Sequence, residues 1–588
     1  MSFLSVLLSA PTTANQLFAK MVDNPGDDDN LARIKLILGV LGIIALIYEA
    51  SRETEGNPIS LKWKKIVGGA FAVLGMISYF QYFKIGYPDF YHRWEFFHYY
   101  VGSKYYNEIG YEGIYVCAAV AESELPEGSA HPGDKPRNNA KVRKLRDLRV
   151  NLIKDTTEYI EHPEVCKEGK YGRQAFTPER WEAFKKDVAF YRRTSLGNYW
   201  NDMQKDHGYN PPPVWGITGR LFATMVAPST EQNLKLLSCI DPILFAAMFG
   251  FVAWAFGWRV MCVAIFFWGT QDASPFYWTG GAFLRQDWLF YAVVSACMVR
   301  KQKFFWGGAF LAYATLLRVF PIMFYPGFFV YAASYAWHAY KKNPSGAFAG
   351  GFMEIWRRLT DGRLRQYALG SVVALAVLGG ASLANSGLSS WKSFAHHIGV
   401  HNSTPLTNHM GWKTIVAHSA EGRMEIARDP RRMDPFEKWK DSRRDRVKKL
   451  WYIHYGGIAV MMGMFSYAIW RLKNLWIIQA LGVLPTTILV ELTDYYYSYF
   501  IYGAMLSKGR RPIEIALLLA SVGSEWAHLN YGMFDDRFTA MSVVFVLLSV
   551  FMVAMYMRRP WLSRGEITQP VEERAGGRVP SIPPPATR

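Results

Sequence analysis

Residues 66–86, IVGGAFAVLGMISYFQYFKIG, run directly into Tyr87-Pro88-Asp89-Phe90-Tyr91-His92-Arg93-Trp94-Glu95. A run of that length and apolarity crosses roughly 30 Å of hydrocarbon, so the stretch reads as a membrane span with a carboxylate, Asp89, at its mouth. Charge at such a place is costly unless it faces a cavity, a partner or a substrate. The span and its acidic exit decide the reading of everything on either side.

Composition agrees with a membrane chain. Of 588 residues, 51% are hydrophobic and 16% aromatic, yet the mean hydropathy is only −0.01, so apolar runs must alternate with polar loops. Stretches 236–256, 366–386, 451–470 and 538–557 are nearly free of charge and long enough to span. Shorter apolar runs at 258–270, 286–299, 494–507 and 512–523 bring the expected total to about 11 to 13 spans. The expected class is an all-α polytopic membrane protein.

Basic residues orient it, because positive charge in short loops stays cytoplasmic. With 51–65 inside, the loops at Arg300-Lys301-Gln302-Lys303, Lys341-Lys342 through Arg365, Arg471 to Lys473, Lys508 to Arg511 and Arg558-Arg559 all fall on that side. The chain then divides into an N-terminal segment (1–32), two spans (33–86), a first outer loop (87–235), a bundle (236–386), a second outer loop (387–450), a second bundle (451–562) and a disordered cytoplasmic tail (563–588). The basic stretch 423–449 is the one that runs against the charge rule, which long loops obey weakly. No cleavable signal is expected in MSFLSVLLSAPTTANQLFAK, which lacks a charged leader. The net charge of +18 is spread over membrane-flanking loops and carries no nucleic-acid motif, which excludes nucleic acid as partner. Lipid headgroups are the expected counter-charge.

Of the five cysteines, Cys239, Cys262 and Cys297 lie in expected spans, whereas Cys117 and Cys166 share the first outer loop. A disulfide there and two separate thiols are both open readings. In the same loop, 89–116 reads as an aromatic amphipathic helix lying against the membrane, with Asp89, His92, Arg93, Phe96, Tyr99 and Tyr100 on one stripe. That stripe either presents a carboxylate beside an imidazole or anchors the helix at headgroup depth with Asp89 as its cap. Thr177-Pro178-Glu179 starts a second helix with the apolar face Trp181, Phe184, Val188 and Tyr191, which can also lie flat on the membrane. It leads to Asp206-His207-Gly208-Tyr209-Asn210-Pro211-Pro212-Pro213, an extended turn no helix continues.

Further landmarks follow in order: Gly281 with Arg285-Gln286-Asp287 at a span mouth, Arg318-Val319-Phe320-Pro321 after the next span pair, His401-Asn402-Ser403 in the later loop, and Asp494-Tyr495-Tyr496-Tyr497-Ser498-Tyr499. Together with Asp89, the run Tyr99-Tyr100-Val101-Gly102-Ser103-Lys104-Tyr105 and Tyr209-Asn210-Pro211-Pro212, this order resembles the GT-C superfamily of integral-membrane glycosyltransferases. Within it, the chain is most similar to the mannosyltransferases that use polyprenyl-phosphate mannose. It departs from them in a longer first outer loop, an extra early span and a broken Gly-Gln element.

The resemblance implies a GT-C-like bundle and an inverting transfer of mannose, or a similar pentose or hexose, from a polyprenyl-phosphate donor to a lipid or glycan acceptor. The expected setting is the outer face of the plasma membrane. Asp89 is the implied base and Glu95 the second choice. Arg318, then Arg285, would hold the departing phosphate. His92, Arg93, Glu95, Tyr209, Asn210, Gln286, His401 and Asn402 complete the expected substrate contacts. No cofactor is expected, the lipid-linked sugar being a substrate. His396, His397, His401 and His409 raise a metal site, but Gly399 and Asn402-Ser403-Thr404-Pro405 read as a loop and no acid completes a ligand pattern, so none is assigned. A secondary transporter and a non-catalytic lipid-binding or structural subunit remain as rivals.

Overall fold

Two helices show how the sequence sets where they begin. Ser60 accepts from the Trp63 amide (3.5 Å) and opens the helix Leu61–Tyr79. Thr177 does the same for Arg180 (3.3 Å), with Pro178 in the first turn of Pro178–Thr194. Asp28 and Asp29 lie at the positive end of Asp28–Thr54, and Arg52 at its negative end. The computed structural model describes residues 28–83, 90–126, 128–133 and 143–557. The readings made for the first 20 residues, for Asp89 and for the 563–588 tail lie outside them.

The protein is an all-α membrane protein. Among the described residues four helices are long and apolar enough to cross a membrane: Asp28–Thr54, Glu231–Phe256, Gly362–Ser403 and Phe534–Met557. Among the described residues strand structure is confined to two small antiparallel pairs, Lys144–Asp147 with Leu152–Asp155 and His409–Met410 with Leu492–Thr493. Leu61–Tyr79 crosses Trp258–Thr270 at two small residues, where a Cβ on Gly269 would stand 2.0 Å from the Gly75 carbonyl oxygen. Such close backbone approach supplies the dispersion contact that hydrocarbon solvent cannot.

One end of the bundle gathers the basic loops. Arg259 pairs with Glu49 (2.8 Å) and Glu514 (2.6 Å), Lys64 pairs with Glu49 (2.8 Å) and Glu53 (2.6 Å), and Arg511 reaches both Glu49 and Glu53. Arg510 donates to the Met555 carbonyl (2.9 Å), Arg471 to that of Met557 (3.4 Å), and the Arg300 guanidinium lies 5.4 Å from the Trp476 ring. Residues 49–64, 259, 300, 471, 510, 511 and 557 thus share one end, as the charge threading expected.

Five local expectations are corrected. The span expected over 66–86 is cut short: its helix stops at Tyr79, stacked on Trp268 at 3.8 Å, and Gln81, Tyr82 and Phe83 turn into the left-handed region (φ 53°, 53° and 60°). The segment 89–116 is not one helix lying on a membrane. From Phe90 on it is broken into Arg93–Phe96, a π-helical Phe97–Val101, Gly102–Lys104, Tyr106–Ile109 and Ile114–Ser123, and most of its residues are buried. Pro178–Thr194 does not lie flat either, because Trp181, Phe184, Val188 and Tyr191 pack into that same core. Aromatic side chains dense enough to enclose one another need no bilayer to hide in. Finally, the 387–403 part of the second outer loop is helical. Gly387 (φ 72°, ψ 167°) breaks Gly362–Ser403 where the span was expected to end, and the chain resumes as helix through His397 and His401. The run 494–507 is not one span but a 3-10 helix, Asp494–Phe500, leading into Ile501–Ser507.

The segment expected as the first outer loop is therefore a folded domain. Ile114–Ser123 is its central rod, with Cys117 joined to Cys166 by a disulfide. Asp187 ties three strands of chain, accepting from Lys104 Nζ (2.6 Å), Tyr105 Oη (2.8 Å) and the Ser229 amide (2.9 Å).

Candidate functional site

Two helix ends point the same way. Asp287–Arg300 and Phe304–Leu317 are joined by the basic turn at 301–303, so Arg285 and Arg318 both emerge at the opposite end, about 20 Å away at 1.5 Å per residue. Asp241 fixes the first of these ends. Its carboxylate accepts from the Arg285 amide (3.0 Å) and the Gln286 amide (3.3 Å), capping the N-terminus of Asp287–Arg300. Arg318 leaves its helix in an extended conformation (φ −147°, ψ 133°).

Above them, the domain formed by 90–235 is pinned by a close approach. Gly281 (φ 65°) lies so near Phe90 that a Cβ would fall 1.8 Å from the Phe90 carbonyl oxygen, and its own carbonyl accepts from the His92 amide (2.9 Å). His92 then caps Arg93–Phe96, and Glu95 and Tyr99, one turn apart, face the guanidiniums.

The result is a buried constellation drawn from distant parts of the chain. Arg285 Nε stands 3.1 Å from Glu95 Oε2, its Nη1 donates to Tyr99 Oη, and Tyr99 Oη donates to Asn210 Oδ1 (2.7 Å). The Arg285 guanidinium is also sandwiched by the rings of Tyr99 (4.6 Å), Tyr495 (4.8 Å) and Tyr496 (5.6 Å). Arg318 lies over Tyr99 (5.4 Å) and Trp215 (5.6 Å) and is 5% exposed. Its Nη1 donates to its neighbour's carbonyl, Leu317 (2.8 Å), while Nε and Nη2 have no hydrogen-bond partner among the described residues. Asp287 attracts it only at longer range. A buried cation with two donors unused is the pattern of a site built for an anion. Burial raises the Glu95 carboxyl above the ordinary range, with Arg285 pulling the other way.

The expected site residues divide accordingly. Glu95, Asn210, Arg285 and Arg318 come together. His92 caps a helix and stands 3.3 Å, through Nε2, from the Tyr277 carbonyl, so it supports the turn rather than facing the guanidiniums. Arg93 lies over the Tyr91 ring (5.0 Å). Tyr209 is core: it packs against Gly102 and Tyr111 (5.5 Å). Gln286 turns away to donate to Thr279 Oγ1 (3.2 Å). His401 meets the His207 ring (5.0 Å) at the rim, and Asn402 is exposed. His397, one turn before His401, stands 3.0 Å from the His207 carbonyl.

Sequence reasoning did not assign Tyr99, Trp215, Asp241, Tyr495 or Tyr496 to the site. Three of these had a visible signal, since Tyr99 lay on the expected stripe and Tyr495-Tyr496 in the late aromatic run. Asp241, inside an apolar helix, had the signal of any charge in a span. Asp206 was read only as part of a turn; it accepts from Trp94 Nε1 (2.7 Å) close to Glu95. No family model, no curated protein and no solved structure matches the chain.

Proposed function

We propose that this protein is an inverting glycosyltransferase of GT-C type. It would move mannose or a similar sugar from a polyprenyl phosphate to a lipid or glycan acceptor, at the outer face of the plasma membrane. The observation that carries the reading is Arg318, buried with two unused donors beside the Glu95-paired Arg285. In this reading Arg318 holds the lipid phosphate as the sugar's anomeric C–O bond breaks, while a carboxylate takes the proton of the attacking hydroxyl and the configuration inverts. Asp89 is the base by resemblance. Glu95, with its carboxyl raised by burial, is the second candidate. The bundle would carry about 11 to 13 spans with the basic end cytoplasmic, which puts Arg285 and Arg318 at the outer end.

A secondary transporter is the second reading, and one observation favours it. Lys35 and Glu525 form a buried pair (3.5 Å), and near Glu525 Asp272 pairs with Arg537 (2.5 Å) and His528 (3.1 Å). The test is incubation of purified protein, wild type, Asp89→Asn and Glu95→Gln, with polyprenyl-phosphate sugars and membrane lipids, reading glycolipid products by mass spectrometry. Transfer by wild type, lost in Asp89→Asn with the fold intact, is the expected result. No transfer from any donor would hand the protein to transport or to a non-catalytic lipid-binding role.

A further inference from the structure

At the basic end of the bundle, between Pro326–Lys342 and Gly362–Ser403, the chain makes a detour through Pro344–Ala347 and the helix Phe352–Leu359, FMEIWRRL. No residue of that helix is buried. Phe352 is 76% exposed, Met353 57% and Trp356 46%, and Phe348 just before it 61%. At 100° per residue Phe352, Met353, Trp356 and Leu359 form one face, with Glu354, Arg357 and Arg358 off it. In water such a face would be a liability. Its setting is not water, because Gly362–Ser403, the helix it leads into, is one of the four able to cross a membrane.

Charge indicates which surface the face rests on. Residues 341–365 hold six cations, Lys341, Lys342, Arg357, Arg358, Arg363 and Arg365, against the two carboxylates Glu354 and Asp361. Three of the cations also hold the detour in shape. Arg358 donates to the carbonyls of Gly346 (2.7 Å) and Ala349 (2.6 Å), Arg365 to those of Arg357 (3.0 Å) and Thr360 (2.9 Å), and Arg363 pairs with Asp361 (2.6 Å). Lys342 and Arg357 have no side-chain partner among the described residues.

We infer that residues 343–361 form an in-plane anchor that lays Phe348, Phe352, Met353 and Trp356 at the acyl boundary of the leaflet on the basic end and binds its anionic phospholipids through Lys342 and Arg357. Apolar burial sets the depth, and the cations select the headgroup charge. This holds independently of any sugar transfer at the other end.

The test uses the full chain carrying Cys239→Ser, which removes the one exposed free thiol. An environment-sensitive fluorophore is attached at Met353→Cys, on the apolar face, or at Glu354→Cys, on the polar face. Each protein is placed in nanodiscs of phosphatidylcholine alone or of equal parts phosphatidylcholine and phosphatidylglycerol. The probe at position 353 is expected to be quenched several-fold more by chain-labelled lipid than by aqueous iodide, and position 354 the reverse. Phosphatidylglycerol should strengthen the contrast, and Lys342→Glu with Arg357→Glu should abolish that strengthening without lowering the melting temperature. Equal iodide access at both positions in both discs would overturn the anchor. Shielding at 353 that ignores both phosphatidylglycerol and charge reversal would overturn the anionic-lipid assignment. Shielding that arises only when a second protein is added would assign the face to that protein instead.

Discussion

Arg318 shows how much a single side chain can ask of a fold. Its guanidinium is taken from water and given one backbone carbonyl in return, so the fold accepts a cost that a bound anion would offset. Under the proposed function, Arg318→Gln should therefore lower sugar transfer by about 10²-fold, the usual loss on removing one anion-stabilising donor, while the melting temperature stays level or rises. Arg318→Lys should restore part of the rate, since it keeps the charge and gives up the fork. An equal loss of rate and folding in both variants would make the residue structural. The rim imidazoles make a separate prediction. Burial pulls His92 from 6.5 to about 4 and His401 from 6.5 to about 3, so the folded protein stays neutral there while the unfolded chain takes up protons. Their contribution to stability is then complete above pH 6.5 and is lost as the pH falls through these folded values. Melting temperatures in detergent should drop between neutral pH and about 4.5, and His92→Gln with His401→Gln should flatten that slope. At this scale the sequence was informative about charge and poor about orientation. Arg285, Arg318 and Glu95 could be picked out, because a charge beside a span must be explained. That Gln286 turns away, and that Tyr209 packs behind Tyr99 and Trp215, could not, because nothing local sets which way a loop side chain points.

Among elements, the crossing of Leu61–Tyr79 with Trp258–Thr270 leaves no room for a side chain. At Gly269 a Cβ would meet a backbone oxygen, which cannot swing aside as the tip of a side chain does. Gly269→Leu should cost about 3 kcal/mol or more and separate the two helices, read as lowered thermal stability and new protease access at the Tyr79–Phe83 turn. Unchanged stability would mean the helices do not approach so closely. The element expectations that failed share one cause. Hydrophobic periodicity reports that a face must be covered and is silent on what covers it. For 89–116 and for Pro178–Thr194 the cover is another part of the protein, with Ile114–Ser123 between them, rather than lipid. The stripe drawn from Asp89 to Tyr100 is split: Phe96 and Tyr100 go to the core against Phe283 (5.7 Å and 6.0 Å), Glu95 and Tyr99 face the arginines, and the helix turns π-helical over Phe97–Val101. The break at Gly387 was legible, because there the hydropathy itself ends.

The whole molecule is fastened across its first and late helices by Lys35 and Glu525, 4% and 1% exposed in their side chains. Removing one partner strands a buried charge, whereas removing both does not. Lys35→Met alone should destabilise by about 3 to 5 kcal/mol, and Lys35→Met with Glu525→Leu should return close to wild type, measured by unfolding in detergent. If both variants are equally unstable, the pair is not a mutual one. If the double variant is stable and still transfers sugar, the pair has no part in an ion path, which weighs against transport. At this scale the division between sequence and structure is plain. The sequence by itself determined that the protein is helical and membrane-bound, where most apolar runs begin and end, and that the short basic loops belong at one end. Those properties are sums over a local window, so no distant residue can alter them. Only the tertiary structure decided that the segment after the Leu61–Tyr79 helix is a folded domain, that Cys117 meets Cys166, and that Glu95, Tyr99, Asn210, Arg285, Arg318 and Tyr496 converge on one buried site. These depend on which faces find each other across hundreds of residues, and that choice is made by close packing, which no stretch of chain carries alone.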